Sequence, residues 1–407
     1  MSEPGPRWSV PLALAVAVFV HYLDRSTLSI ALPRIAESFG WSDRDLAGRA
    51  DVLLAAFFVS FGLANVFLPP WAVRFGLRRA VLGVVIAFSV VTMASGPLGG
   101  SLAALILMRF LLGLGEGAHM PLNSAITARA FGPEYRARAN AVWSAGILVS
   151  VAFAPLIIVP VVDRFGWRTA FVLLGLAGLL VALPVLWRFV PDDRRGPDAA
   201  VAGAGGTAPP PPSRSLSAFL RDPTFRLYAA AGILNAFCAF GILNWLPTYF
   251  VRAKGVDFAD LGWPLFVVFG AGVSGVLALA WAGDRLNRRA ALASAGFAAA
   301  AVCTSLALVS ASLGALVGLL ACAVFCQSAF TAQEYATVQR LVAPGEVATA
   351  TGVYNGISIL FGGVGGSLIP ALMVARTGSF DAGLASVVAG ALVASLLMAR
   401  VARRTRY

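Results

Sequence analysis

Polar positions along this chain are gathered into short breaks between apolar blocks, rather than scattered at the short periods of a soluble helix or strand. The blocks lie near residues 8–33, 46–73, 79–98, 101–131, 136–162, 166–190, 222–252, 258–283, 288–309, 311–340, 346–375 and 379–402. Each is long enough, at ~1.5 Å per helical residue, to cross ~30 Å of hydrocarbon. The pattern predicts an all-α polytopic membrane protein of twelve spans. Residues 10–20 resemble a secretory leader, but the apolar run continues past a cleavable length into a charged helix end, which predicts a retained first span.

Between the sixth and seventh blocks lies PDDRRGPDAAVAGAGGTAPPPPSRS. Its Pro, Gly, Ala and charge content cannot form a core. The expected domains are a six-helix bundle over 1–190, a cytoplasmic linker over 191–217 and a second six-helix bundle over 218–407. The halves also repeat at an offset of about 211 residues: Pro133 matches Pro344, Val142-Trp143-Ser144 matches Val353-Tyr354-Asn355, and Arg74 and Arg78 match Arg285 and Arg289. At slightly larger offsets Arg164-Phe165-Gly166 matches Arg376-Thr377-Gly378, and Pro33 matches Pro247. Two halves on a cytoplasmic linker predict a rocking-bundle architecture, two pseudo-symmetric six-helix bundles around a central cavity with the site at their interface.

Composition agrees, with 59% hydrophobic and 12% charged residues. The net charge of +12 could point to nucleic acid, yet no basic groove interleaved with aromatics is visible, so no nucleic-acid partner is expected. The charge reads instead as an orientation signal. With the N-terminus inside, basic residues in cytoplasmic segments outnumber those outside by more than two to one, which puts both termini in the cytoplasm. The near-exclusive use of arginine suggests a GC-rich bacterial genome, hence a bacterial inner membrane. The four cysteines lie in apolar blocks, and Cys322 and Cys326, one turn apart, have no His or acidic neighbour on that face. They read as small packing residues rather than a metal site. No cofactor is expected, and the protein is expected to act as a monomer.

Two blocks carry charge where lipid should exclude it. AALILMRFLLGLGEGAHMPLN (103–123) holds Arg109 and Glu116 on one helix face, with Gly113 between them as a smooth surface for a neighbour. HYLDRSTLS (21–29) holds Asp24 and Arg25. A charge at the centre of a membrane helix costs at least ~2.5–3.5 kcal/mol, so each needs a partner, a water-filled cavity or a task. Arg25 and Arg109 each lie about eight residues from the outer end of their spans, roughly 12 Å deep, and Glu116 lies two turns deeper. The quartet is expected to form one buried ionic site. Two cations and two anions leave it near neutral. An entering carboxylate would then unbalance it unless a protein carboxylate took up a proton. Arginine suits such a site because its planar fork holds a carboxylate at two points and stays charged.

A structural alternative stays open for each residue. The quartet could simply lock helices together. His119, one turn below Glu116, is a proton-relay candidate or a packed helix histidine. Gln333 and Glu334 lie towards the cytoplasmic end of the tenth span and could snorkel. Asn235, Asn244, Tyr354 and Asn355 could bond substrate hydroxyls or serve as interhelical glue. Tyr22 is a cavity candidate. The glycines of 352–366 mimic a phosphate loop only as a pattern, and in an apolar span they are close-packing and hinge positions.

The chain resembles a major facilitator superfamily transporter, and more narrowly the anion:cation symporter family of sugar-acid and aromatic-acid permeases. The resemblance rests on YLDRSTLS (22–29), RFLLGLGEGAHMPLN (109–123), FGPEYRARANAVWSAG (131–146), FGWRTAFVLLG (165–175), WLPTYF (245–250) and TGVYNGISILFGGVGGSLIP (351–370). Asp284 and Arg285 resemble the superfamily's Gly-x-x-x-Asp-Arg loop, whose N-terminal copy around Arg74 and Arg78 has Val73 in place of the aspartate. The second span departs from the family at Gly62 and Val66, where a tyrosine and a glutamine are expected. The resemblance implies alternating-access uptake of a small organic anion with protons. It implies substrate and ion-pair roles for Arg25 and Arg109, protonation of Asp24 and Glu116, and a conformational role for the Arg74–Arg78 and Asp284–Arg285 loops.

Two other classes compete. A proton-driven drug antiporter would carry Gly-Pro-x-x-Gly-Gly in the fifth span, where Ala154-Pro155 is followed by Leu-Ile-Ile, and two buried arginines suit cationic drugs poorly. A non-transporting sensor would be expected to carry an appended soluble domain or long tail, for which neither terminus leaves room. No nucleophile–base set, metal cluster or nucleotide loop supports an enzyme.

Overall fold

In the computed structural model the described residues are 7–192, 221–286, 288–342 and 347–404. Among them only helices and their connections occur. The linker expected over 191–217 lies outside the described residues except at Pro191 and Asp192, as does Pro344 of the repeat.

The helices used below are α1 (Ser9–Ser38), α2 (Asp43–Ala72), α3 (Leu77–Leu98), α4 (Leu102–Glu116), α5 (His119–Ala130), α6 (Pro133–Ala177), α7 (Leu183–Phe189) and α8 (Pro223–Arg252). They continue with α9 (Gly262–Leu286), α10 (Arg289–Leu308), α11 (Leu313–Leu341), α12 (Val347–Ile357), α13 (Val364–Thr377) and α14 (Phe380–Arg404). Among the described residues eleven helical stretches are long and apolar enough to span a membrane. One of them, Arg138–Phe189, is double length and contains Gly166 at φ 78°, so it holds the fifth and sixth expected spans across a kink. The other differences are local. The first span runs on to Ser38, the fourth breaks after Glu116, and π-helical turns interrupt the sixth at Gly178–Ala182 and the eleventh at Ser358–Gly363. Large apolar side chains such as Phe67, Leu180 and Leu277 are two-thirds or more exposed, as a lipid-facing surface requires.

The repeat reappears in local geometry. Ser101 caps α4 by accepting the Ala104 N–H at 3.2 Å, and Ser312 caps α11 by accepting the Ala315 N–H at 3.1 Å. Gly166 and Gly378 both take the left-handed backbone, at φ 78° and 72°, at the matched turns, a conformation any side chain would strain. Pro33 and Pro247 lie inside α1 and α8, and each helix is followed by another left-handed glycine, Gly40 and Gly255. Such agreement at capping and turn positions is what a duplicated six-helix unit leaves behind.

The described chain forms two compact units. The first draws on the described residues within 1–28, 56–154 and 161–209. In it α4 lies tight against α2. A Cβ at Gly113 would stand 2.1 Å from Ser60 Oγ, and one at Gly117 would stand 2.4 Å from Ala64 Cβ, so only glycine permits this approach. The glycine of the sequence motif is therefore a packing surface. The second unit draws on the described residues within 29–55, 155–160 and 210–407. There the Ser29 hydroxyl donates to Asn244 Oδ1 at 3.0 Å, and the Asn244 amide donates to Ser367 Oγ at 3.1 Å.

Candidate functional site

The first unit holds the four charged residues singled out from the sequence. Asp24 and Arg25 project from the middle of α1, and Arg109 and Glu116 from α4; all four are at least nine-tenths buried. Arg109 lies within electrostatic reach of Asp24 and Glu116, and Arg25 of Glu116. The four side chains are therefore neighbours in one buried cluster.

Aromatic rings surround its arginines. The Arg25 guanidinium carbon lies 4.9 Å from the centre of Phe57, 5.0 Å from Phe58, 5.2 Å from Phe61 and 5.4 Å from Tyr22. Arg109 lies 5.1 Å from the ring of Phe171. Aromatic faces stabilise a partly desolvated guanidinium. Tyr22, a cavity candidate from the sequence, thus lies beside Arg25. The Thr92 hydroxyl of α3 donates to one oxygen of Asp24, and the other oxygen is buried without a hydrogen-bond partner among the described residues.

Glu116 brings in a residue that the sequence reading passed over. Its Oε2 lies 2.6 Å from Nε2 of His21, one turn before Asp24 on α1. The carboxylate is off the N–H direction, so the contact is close without completing a directed hydrogen bond. The other ring nitrogen of His21, Nδ1, lies 2.8 Å from Nδ1 of His119, and both rings are fully buried. Phe88 of α3 stacks on His21 at 5.4 Å and tilts against His119 at 5.9 Å. The chain contains two histidines, and they touch each other. Their placement in two charged spans is the signal that could have paired them. Asn123, one turn beyond His119, is also new, since both its amide atoms are buried without a partner among the described residues.

A metal does not fit between the rings. Two nitrogens ligating one ion at ~2.0–2.1 Å in a tetrahedral site stand about 3.3 Å apart, wider than the contact seen here. Among the described residues no three His, Cys, Asp or Glu side chains are disposed to hold an ion.

The second unit holds the remaining candidates. Tyr354 is fully buried on α12, donates to Glu334 Oε1 at 2.7 Å and stacks on Tyr228 at 5.3 Å. The Tyr228 hydroxyl donates to the Glu334 carbonyl at 2.7 Å. Gln333 donates to the Leu279 carbonyl at 2.8 Å, packing α11 on α9. Asn355 is half-buried on α12, and Asn235 Oδ1 accepts from Gln327 at 3.3 Å. Of the loop residues, Arg74 is exposed, Arg78 donates to the Trp187 carbonyl, and Arg285 lies 4.1 Å over the Trp281 ring. Asp284 falls in α9, with its side chain outside the described part.

Three comparisons bear on this arrangement. Residues 14–370 match the Major Facilitator Superfamily model. A hexuronate transporter of Bacillus subtilis is 25% identical over 97% of this chain and 94% of its own length. An MFS-type efflux pump of Mycolicibacterium smegmatis is 26% identical over 89% of this chain and 83% of its own. Among solved structures, a bacterial homologue of the human lysosomal transporter Spinster superposes with a TM-score of 0.77 at 21% identity, over 98% of this chain and 96% of that one. The helices, the repeated caps and turns and the family match lead to one conclusion: the chain belongs to the Major Facilitator Superfamily and is a multi-pass membrane transporter rather than an enzyme.

Proposed function

We propose that this protein takes up a small organic anion, a sugar acid, hydroxy acid or aromatic carboxylate, together with protons by alternating access. The observation that carries the reading is the buried set Asp24, Arg25, Arg109 and Glu116 in one unit, with both guanidiniums faced by aromatic rings. In this reading Arg25 and Arg109 bind the carboxylate, helped by Tyr22. Tyr354, Asn355 and Asn244 serve the rest of the solute, and Asp24 and Glu116 take the protons. The hexuronate transporter among the relatives fits an anionic sugar as cargo.

The same reading has the halves 1–190 and 218–407 rock about the linker, with the Arg74–Arg78 and Asp284–Arg285 loops controlling the change. It places both termini in the cytoplasm of a bacterial inner membrane. The efflux-pump relative supports a second reading, proton-driven export. A thermal-shift screen of the purified protein separates the two. Stabilisation by sugar, hydroxy or aromatic acids, lost in Arg25→Ala, supports the anion reading. Stabilisation by cationic drugs alone supports export.

A further inference from the structure

Two bare imidazole nitrogens repel each other at 2.8 Å, and so do two N–H groups. The contact between Nδ1 of His21 and Nδ1 of His119 therefore holds one hydrogen, carried by one ring and accepted by the other. A neutral ring with a bare Nδ1 carries its hydrogen on Nε2, so the tautomers of the two rings are tied together. His21 Nε2 is in turn 2.6 Å from Glu116 Oε2, where aligning them takes a rotation rather than a translation. At the far end His119 Nε2 is buried and has no partner among the described residues.

We propose that His21 and His119 form a two-ring relay passing one proton between the far nitrogen of His119 and the carboxylate of Glu116. With Glu116 ionised, His21 carries its hydrogen on Nε2, facing the carboxylate. His119 then carries its own on Nδ1, donated to His21. A hydronium ion gives one proton to His119 Nε2 and leaves as water, the Nδ1 hydrogen of His119 moves to Nδ1 of His21, and the Nε2 hydrogen of His21 moves to Glu116. One proton has entered, Glu116 is neutral, and each ring has gained one hydrogen and given one up. Both rings finish neutral with their tautomers exchanged. Reversal returns the proton the way it came.

The surroundings suit transfer between neutral rings. The titratable and charged groups around the relay are Tyr22, Asp24 and Arg25 on α1 and Arg109 on α4. The α3 helix presents Phe88 against both rings and Thr92 to Asp24, while α2 presents Phe57 and Phe61 to Arg25 and Ser60 and Ala64 to the glycines of α4. Asn123 on α5 adds an uncharged amide one turn beyond His119. This proposal rests on the proton-coupled reading, but its test needs no substrate.

The full-length protein labelled with 15N-histidine gives ring-nitrogen signals from these two residues alone. Bare and protonated ring nitrogens are resolved by their 15N shifts. Between about pH 9 and about pH 5, a range bracketing histidine and buried-carboxyl titration, the protonated nitrogen should move from Nε2 to Nδ1 in His21. It should move from Nδ1 to Nε2 in His119, with neither ring doubly protonated. Glu116→Gln should hold one tautomer pair throughout. Unchanged tautomers in the wild type, an imidazolium in either ring, or an exchange persisting in Glu116→Gln would overturn the relay. If the exchange occurs while no carboxylate is transported, the transport reading fails and the relay stands.

Discussion

The Arg25 guanidinium stands 4.9 Å from the centre of the Phe57 ring, on a part of α2 that α4 can approach because Gly113 and Gly117 lack side chains. Cage and charge are thus assembled by backbone packing, and the site depends on glycines as much as on its ionic residues.

Arg25→Ala and Arg109→Ala should each abolish uptake while folded protein remains in the membrane. A charge-assisted hydrogen bond contributes about 1.5–3 kcal/mol, so anion affinity should fall about ten- to a hundredfold. Arg25→Lys should recover little, because an ammonium lacks the planar fork. Anion binding followed by calorimetry, alongside membrane abundance, checks this; wild-type affinity in either alanine variant would count against it.

Glu116→Gln should lose accumulation driven by an acid-outside pH gradient and keep substrate exchange at equal pH. The amide cannot take up the proton that compensates an entering anion, while exchange of one anion for another needs no net proton movement. Uptake in vesicles with and without the gradient separates the two, and an undiminished gradient response would remove Glu116 as a coupling group.

Gly113→Ala should destabilise the first unit. The added methyl would meet Ser60 Oγ and the Phe57 carbonyl well inside contact distance, and overpacking of this kind costs about 1–3 kcal/mol. A lowered Tm in detergent is expected, with weakened anion binding because Phe57 shifts with its helix. An unchanged Tm would show that the two helices part more freely than this packing implies.

Tyr354→Phe removes the hydroxyl that donates to Glu334 Oε1 and leaves a half-buried carboxyl oxygen without it. A loss of about 0.5–1.5 kcal/mol in stability follows for one hydrogen bond at a half-buried acceptor. Thermal unfolding of the variant measures it, and Tyr354→Phe with Glu334→Gln should recover part of the loss.

The helical fold was legible because lipid imposes block lengths that composition alone reveals, and the repeat because proline, glycine and cap residues recur at a fixed offset. Arg25, Asp24, Arg109 and Glu116 were legible for the same reason, since each is costly where it sits. His21 was not. A histidine beside a charged helix end carries no such penalty in sequence, and its partnership with Glu116 and His119 depends on how α1, α4 and α5 approach one another. The break of α4 after Glu116, just before His119, has a local cause that was legible, because Pro121 has no N–H to donate to the Gly117 carbonyl. For Asn244 the residue type left glue and substrate contact open, and the structure adds its bonds to Ser29 and Ser367.

The most direct measurement uses proteoliposomes enclosing a pH-sensitive dye, to which sugar acids and aromatic acids are added from outside. Transport of the anion should acidify the interior in the wild type and leave it unchanged in Glu116→Gln. Carboxylate entry with no accompanying change of internal pH would contradict the account.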